Sequence, residues 1–133
     1  MRTPRAVAEE LIRLSVTDDI AQVDLFAEDA VHELPFSPTG SPIRFTREQM
    51  RAAMSAPGPA RVVDRKLIRM EIEEAKDDAT VLAEYDIEGT LAVTGERVSI
   101  SGAMVVTARD GLIVRSRNYL NPDVLRRINT PTS

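Results

Sequence analysis

The sequence contains no cysteine, no tryptophan and only one histidine, and aromatic residues make up just 4% of the chain. The lack of cysteine excludes disulfides and thiolate chemistry, and a single histidine excludes a histidine-rich metal site. No stretch reaches the apolar length of a membrane span. Glu9 and Glu10 stand where a signal peptide would need an apolar run. We therefore expect a soluble cytoplasmic protein that binds neither a metal nor a membrane.

Positive charge is also scarce, because 17 lysines and arginines face 21 aspartates and glutamates and leave a net charge of −4. Such a balance gives no electrostatic footprint for nucleic acid. A chain of 133 residues, 43% hydrophobic and 29% charged, has an ordinary globular composition. Its length suits one domain that buries roughly two-thirds of its unfolded surface. We expect a single domain over residues 1–133 whose tail, 129–133, is flexible.

Three stretches in the second half, residues 81–93, 97–109 and 112–121, alternate between apolar and polar side chains, the period of a strand with one buried face. On the first, Ala83, Tyr85 and Ile87 alternate with acidic residues. On the next two, the predicted inner face carries Val98, Ile100, Met104, Val106, Val114, Ser116, Asn118 and Leu120. Asp110-Gly111 predicts a hairpin between the last two strands.

The first half predicts three helices and two further strands. A first helix starts after the N-cap Thr3 and runs to about Leu14. A second, short helix opens at Thr17 to Asp19 and ends within LFAEDA at 25–30. A third helix covers Arg47 to about Ser55, with Met50, Ala53 and Met54 facing inward. A short strand is expected at residues 31–36 and a further strand at 62–74, where Ile68, Met70 and Ile72 alternate with charged residues and are predicted to face inward. A short terminal helix starts at Asn121. Helices first and antiparallel strands after them predict an α+β domain.

Three phrases carry a resemblance to a known family: LFAEDAVHELPF at 25–36, EGTLAVTGERVSISGAMVV at 88–106 and RDGLIVRSRNYLNP at 109–122. They resemble the nuclear transport factor 2-like superfamily and, within it, the SnoaL-like group. The resemblance implies a cone-shaped, curved antiparallel or mixed sheet around a cavity that N-terminal helices close, and a homodimer through the sheet. The fold hosts isomerases, dehydratases, polyketide cyclases, epoxide hydrolases and plain binding proteins, so it does not by itself specify a reaction.

The chain lacks the three catalytic groups of ketosteroid isomerase, an enzyme of this superfamily. That enzyme's general-base aspartate falls at Leu34, the protonated acid of its oxyanion hole falls at Met104, and its helix tyrosine has no counterpart here. Steroid isomerisation by that mechanism is therefore excluded. Epoxide hydrolysis of the limonene type needs an aspartate–arginine–aspartate set in the cavity, whereas Arg115 and Arg117 of the last strand are predicted to face outward.

Four polar residues on the predicted inner face could carry chemistry. His32, with a reference pKa of about 6.5, is either a general acid or base or a rim histidine bound to backbone. Tyr85 either donates to a ligand carbonyl or is satisfied locally. Ser116 and Asn118 form a Ser-x-Asn pair similar to one that holds substrate in scytalone dehydratase. On the outer face, acids of the first strand are expected to pair with Arg115 and Arg117, directly or via the serines between them.

The sequence thus predicts a pocket for a small hydrophobic carbonyl compound, polyketide- or terpenoid-like, in a cofactor-free cyclase, isomerase or dehydratase. The expected catalytic residues are His32, Tyr85 and Asn118. The expected substrate-binding residues are Leu34, Ile87, Met104, Ser116 and Leu120. Two alternatives stay open: a non-catalytic small-molecule-binding protein of the same fold, and a dimerisation or interaction module.

Overall fold

The computed structural model describes residues 2–36, 41–55 and 61–120, so the terminal helix predicted from Asn121 and the tail at 129–133 lie outside the described residues. The helices are α1 (Pro4–Thr17), a short 3-10 helix (Ile20–Leu25) and α2 (Arg47–Ser55). The strands are β1 (Phe26–Leu34), β2 (Ile43–Thr46), β3 (Val62–Glu74), β4 (Thr80–Leu91), β5 (Arg97–Arg109) and β6 (Leu112–Leu120). They form one mixed, curved sheet in the order β2-β1-β6-β5-β4-β3, in which β1 and β6 run parallel. The predicted α+β fold is confirmed, with an open rather than a closed sheet.

The helices begin where the sequence predicts. Thr3 Oγ1 accepts from the Ala6 amide at 3.1 Å and caps α1, which then buries Val7, Ala8, Leu11 and Ile12 against the sheet. Thr46 and Gln49 form a reciprocal capping box at the start of α2, with bonds of 2.8 and 3.2 Å. Among the residues that the structure describes, no helix has the length and apolarity needed to cross a membrane.

Two predictions for the first half are wrong. The segment after α1 is a 3-10 helix that ends at Leu25, and Phe26 already begins β1, because it is buried and pairs with Ile113 of β6. Sheet pairing thus overrides the local helical pattern. Ala53 is exposed rather than inward. The face that α2 turns inward carries the buried Met50 and the half-buried Met54, four residues apart on one stripe.

Bulges change which residues face inward on two strands. In β3 the register with β4 shifts between Leu67 and Arg69, so that Ile68, predicted to be inward, is 51% exposed and Leu67 packs against the core instead. In β6 the register with β5 shifts beside Val114, which lines an outer depression, while Ile113 is buried. A bulge inserts one unpaired residue and so reverses the alternation on one side of it.

The predicted pairing of the β4 acids with Arg115 and Arg117 is also wrong, although one of the serines between them does bind an acid of β4. Asp86 accepts from Arg69 Nε at 2.8 Å and from Ser101 Oγ at 2.7 Å, and these bonds hold its pKa below the usual range. Glu88 pairs with Arg97 at 3.2 Å. The physical reason is strand order: β5 lies between β4 and β6, so the expected partners are two strand spacings, about 10 Å, apart.

Arg117 instead binds Glu33 on the other side of β6. Glu33 is only 4% exposed, although it lies on the outer face of the sheet. Its carboxylate accepts from Arg117 Nε at 3.1 Å and from Arg44 Nε at 2.8 Å. These two hydrogen bonds lower the pKa of Glu33. The outer face is therefore a network of ion pairs, and assembly of a homodimer through it stays a prediction.

Candidate functional site

A cavity of about 210 Å³ lies between the inner face of the sheet and the helices. Its wall is mostly apolar and includes Leu11, Ile12, Phe26, Met50, Met54, Ile87, Ile100, Met104 and Leu120. Its polar lining residues are Ser15, Gln22, His32, Arg65, Tyr85 and Asn118. A concave, largely apolar site with a few polar groups is the usual form of a small-molecule pocket.

The three residues predicted to be catalytic, His32, Tyr85 and Asn118, all line this cavity. So do Ile87, Met104 and Leu120, which were predicted to contact substrate. Leu34 and Ser116 were also expected on the wall, but neither is among its lining residues. Leu34 ends β1 beside the edge strand β2, and Ser116 is fully buried with its hydroxyl bonded to His32. The roles of all eight residues stay predictions.

His32 is held by a neighbour on the adjacent strand. The parallel register of β1 and β6 sets His32 opposite Ser116, and His32 Nδ1 lies 2.5 Å from Ser116 Oγ. Ser116 is 0% exposed, so this hydrogen bond is sheltered from water. The rings of Phe26 and Phe45, centred 6.2 and 6.1 Å away, flank the imidazole.

The protonation state of His32 follows from this environment. Burial lowers its pKa from 6.5 to about 4, because a desolvated imidazolium is disfavoured. His32 is therefore neutral at pH 7. The reference pKa of about 6.5 suggested that it would titrate near neutrality, and in this environment it does not. With Nδ1 bound to Ser116, Nε2 is the ring nitrogen with which a ligand in the cavity can interact.

A second polar pair crosses the sheet from β4 to β6. Tyr85 and Asn118 are separated by β5, and Tyr85 reaches across it at Gly102, where no side chain blocks the way. The Tyr85 hydroxyl donates to Asn118 Oδ1 at 2.7 Å. Burial raises the pKa of Tyr85 to about 12, so the phenol keeps its proton. Because Oδ1 accepts from Tyr85, the Asn118 amide nitrogen, with its two hydrogens, is left to donate to a ligand.

Gly102→Ala tests this crossing. A Cβ at position 102 would lie 2.5 Å from Tyr85 Oη and 2.7 Å from Tyr85 Cζ, so the ring must move. We expect a loss of about 1–3 kcal/mol in the free energy of unfolding, measured by urea denaturation. In a Tyr85→Ala background the same substitution should cost less, because the main clash is gone. An unchanged stability of the single variant would contradict the close packing of Tyr85 on Gly102.

Sequence reasoning missed three polar lining residues. Gln22 Nε2 donates to the Leu11 carbonyl at 2.8 Å and Ser15 Oγ to the Ile12 carbonyl at 2.5 Å, so both side chains are engaged by α1. Arg65 is different, because it is the single ionisable side chain besides His32 and Tyr85 among the described lining residues. Regular alternation of β3 around Met70 and Ile72 would place Arg65 on the outer face. A bulge turns it inward, and no signal in the sequence marks that bulge.

The cavity has no carboxylate among its described lining residues. Within the same ranges of the chain, no group of three histidine, cysteine, aspartate or glutamate side chains is arranged to hold a metal ion. The chemistry that the described wall itself can offer is a neutral imidazole, an amide donor and a guanidinium. This set can polarise a carbonyl group, accept a proton and attract an anion.

The model of the SnoaL-like domain family matches residues 8–116. The chain therefore belongs to the SnoaL-like family, within the nuclear transport factor 2-like superfamily. It is 32% identical over 103 residues to the uncharacterized protein YesE of Bacillus subtilis, a match that covers 77% of this chain and 70% of YesE.

Solved structures agree with this assignment. One is a suggested isomerase from Bacillus subtilis, 28% identical with a TM-score of 0.77, covering 96% of this chain and 95% of the other. Another is a suggested polyketide cyclase from Pseudomonas putida, 17% identical with a TM-score of 0.75, covering 92% and 95%. At that lower identity the second match shows the fold alone. These similarities support a SnoaL-like fold of the kind that binds small molecules, and they do not specify a reaction.

Proposed function

We propose that this protein is a cofactor-free enzyme of the isomerase or cyclase type that acts on small, mainly apolar carbonyl compounds. The observation that carries the proposal is the pairing of two polar groups in one apolar cavity: the neutral His32, bound to Ser116, and the Asn118 amide, oriented by Tyr85. The suggested isomerase activity of the similar Bacillus subtilis structure supports the same class of chemistry.

The proposed reaction starts with enolisation. The Asn118 amide donates a hydrogen bond to the substrate carbonyl oxygen, and His32 Nε2 removes a proton from the adjacent carbon. The C–H electron pair moves onto the carbonyl oxygen as an enolate, which the amide stabilises. Return of the proton from Nε2 to another carbon gives an isomer. Attack of the enolate carbon on a second carbonyl carbon gives a ring, and the proton then goes to the new alkoxide.

In this scheme Tyr85 and Ser116 are positioning residues. The Tyr85 hydroxyl, 2.7 Å from Asn118 Oδ1, keeps the amide nitrogen directed away from Tyr85. Ser116 Oγ holds the imidazole at Nδ1. We propose that Nδ1–H donates to this oxygen, because that tautomer leaves a lone pair on Nε2 for the substrate proton.

The second candidate function is binding without chemistry. One observation favours it: a histidine with a pKa of about 4, in a cavity without a described carboxylate, is a weak base for a carbon acid. A binding protein would use the same apolar wall and the same Asn118 donor. The two functions differ in turnover and not in the ligand that they accept.

Deuterium exchange of 2-tetralone in D2O separates the two functions. This bicyclic ketone is apolar, small and acidic at C1, and loss of its C1 proton signal can be followed by NMR. We expect saturable exchange above the rate in buffer and above the rate with the urea-unfolded protein. Saturable binding of 2-tetralone without faster exchange would favour the binding function, and no binding at all would overturn both.

A further inference from the structure

Arg65 brings a full positive charge to the wall of an otherwise nearly uncharged cavity. Its side chain is 26% exposed, and its Nη2 atom lies 3.5 Å from Asp19 Oδ2. Among the described residues this ion pair is its single polar contact. A contact of that length, made by one nitrogen, leaves most of the planar guanidinium fork available to another acceptor.

The backbone around Arg65 is shaped to bring it inward. The register between β3 and β4 shifts between Leu67 and Arg69, which puts Leu67 and, two residues earlier, Arg65 on the inner face. A second shift lies between Val63 and Lys66, where Asp64 adopts a φ of 52°, which is uncommon for a residue other than glycine. Gly89 on β4 leaves the necessary space, since a Cβ there would lie 2.4 Å from Val62 Cγ1 and 3.3 Å from Arg65 Cγ. Bulges of this kind often re-aim a side chain near a functional site.

Arg65 also lies where the cavity meets the surface. It lines both the cavity and an adjoining surface groove of about 450 Å³, and Met54 is the other residue common to the two. The apolar wall lies on one side of this junction and the groove on the other. A ligand that fills the cavity would therefore have its outer end beside the guanidinium.

We propose that Arg65 recognises an anionic group and that the ligand of the cavity is a small apolar carboxylate, whose acid group pairs with Arg65 at the mouth. This inference rests on the proposed function and narrows its substrate class from carbonyl compounds to carbonyl acids. A monoanion fits better than a phosphate, because Arg65 is the single cation on the described wall and Asp19 lies beside it. The planar guanidinium matches a carboxylate in a two-bond geometry.

The test uses two naphthalene derivatives of the same shape, 2-naphthoate and the neutral ketone 2-acetonaphthone. The chain has no tryptophan, so ligand fluorescence can be read without that background. At pH 7.5 we expect 2-naphthoate to bind the wild-type protein more tightly than 2-acetonaphthone. Arg65→Gln should weaken 2-naphthoate binding by roughly tenfold and change 2-acetonaphthone binding less than about twofold.

Two further variants test whether the effect is specific to the charge of Arg65. Asp19→Asn removes the competing carboxylate and should tighten 2-naphthoate binding, the opposite direction to Arg65→Gln. Arg61→Gln removes a cation that lines the groove but not the cavity, and should leave both affinities within twofold. Urea denaturation of each variant establishes that it is folded at the assay temperature.

The outcomes separate this inference from the proposed function. Equal binding of 2-naphthoate to wild type and Arg65→Gln, with 2-acetonaphthone still bound, would overturn the anion site and leave the carbonyl pocket intact. Equal weakening of both ligands by Arg65→Gln would assign Arg65 a role in cavity shape and also overturn the inference. Failure of both ligands to bind the wild-type protein would overturn the pocket function and the anion site together.

Discussion

His32→Gln is expected to slow exchange at C1 of 2-tetralone by roughly 10²- to 10⁴-fold, the range of a lost general base. Glutamine is similar in size and can still bond to Ser116, but its amide cannot accept the substrate proton. The loss should appear in kcat with little change in KM, because the apolar wall that binds the ring is untouched. Initial exchange rates by NMR over a range of ketone concentrations measure both constants.

Ser116→Ala is the matched comparison, because it keeps the imidazole and removes its partner at Nδ1. We expect a smaller loss of kcat than for His32→Gln. In the wild-type protein the exchange rate should rise with pH through about 4, where His32 loses its proton, and then stay level to neutrality. An exchange rate for His32→Gln equal to that of the wild type would remove His32 as the base.

The inner face of the site could be predicted because β4 alternates without interruption. Ala83, Tyr85 and Ile87 are all buried, as their period of two requires. The hairpin at Asp110-Gly111 was also predictable, since both residues adopt the positive φ angles, 54° and 80°, of a primed turn. Once these strands are placed in antiparallel register, Tyr85 and Asn118 must share one face.

The outer face could not be predicted in the same way, because its contacts depend on strand order. The sequence gives no sign that β1 runs parallel to β6, and it is this pairing that brings Glu33 to Arg117 and His32 to Ser116. Ser116 was assigned to the inner face, but the imidazole bonded to it comes from a strand 84 residues earlier in the chain.

Bulges are the second source of error, and they affect the site directly. Ile68 and Val114 were placed inward by alternation, and Arg65 by the same rule would be outward. An unpaired residue leaves no periodic mark in a single sequence. The inward position of Arg65, the cation of the cavity wall, therefore could not be predicted from the sequence. The single domain, the homodimer and the cytoplasmic location stay predictions.

The second large effect concerns stability as the pH falls. The unfolded chain binds a proton at His32 with a pKa near 6.5, whereas the folded chain binds it only near pH 4, because burial disfavours the charge. The stabilisation from this difference is complete above pH 6.5 and is lost as the pH falls to about 4. The shift corresponds to about 3 kcal/mol in the free energy of unfolding.

Urea denaturation of the wild type and of His32→Gln between pH 7.5 and 4.5 measures this contribution. We expect the wild-type free energy of unfolding to fall more steeply over that window, because only the wild type takes up the histidine proton on unfolding. The pKa values of Glu33 and Asp86 are lowered from 4.5 and 3.8 in the folded protein. The stability that these two carboxylates contribute is lost only as the pH falls below those ordinary values, and it is lost equally in the wild type and in His32→Gln. Parallel curves for the two proteins would mean that His32 is hydrated in the folded state, and the pH at which the exchange rate levels off should then move up from about 4.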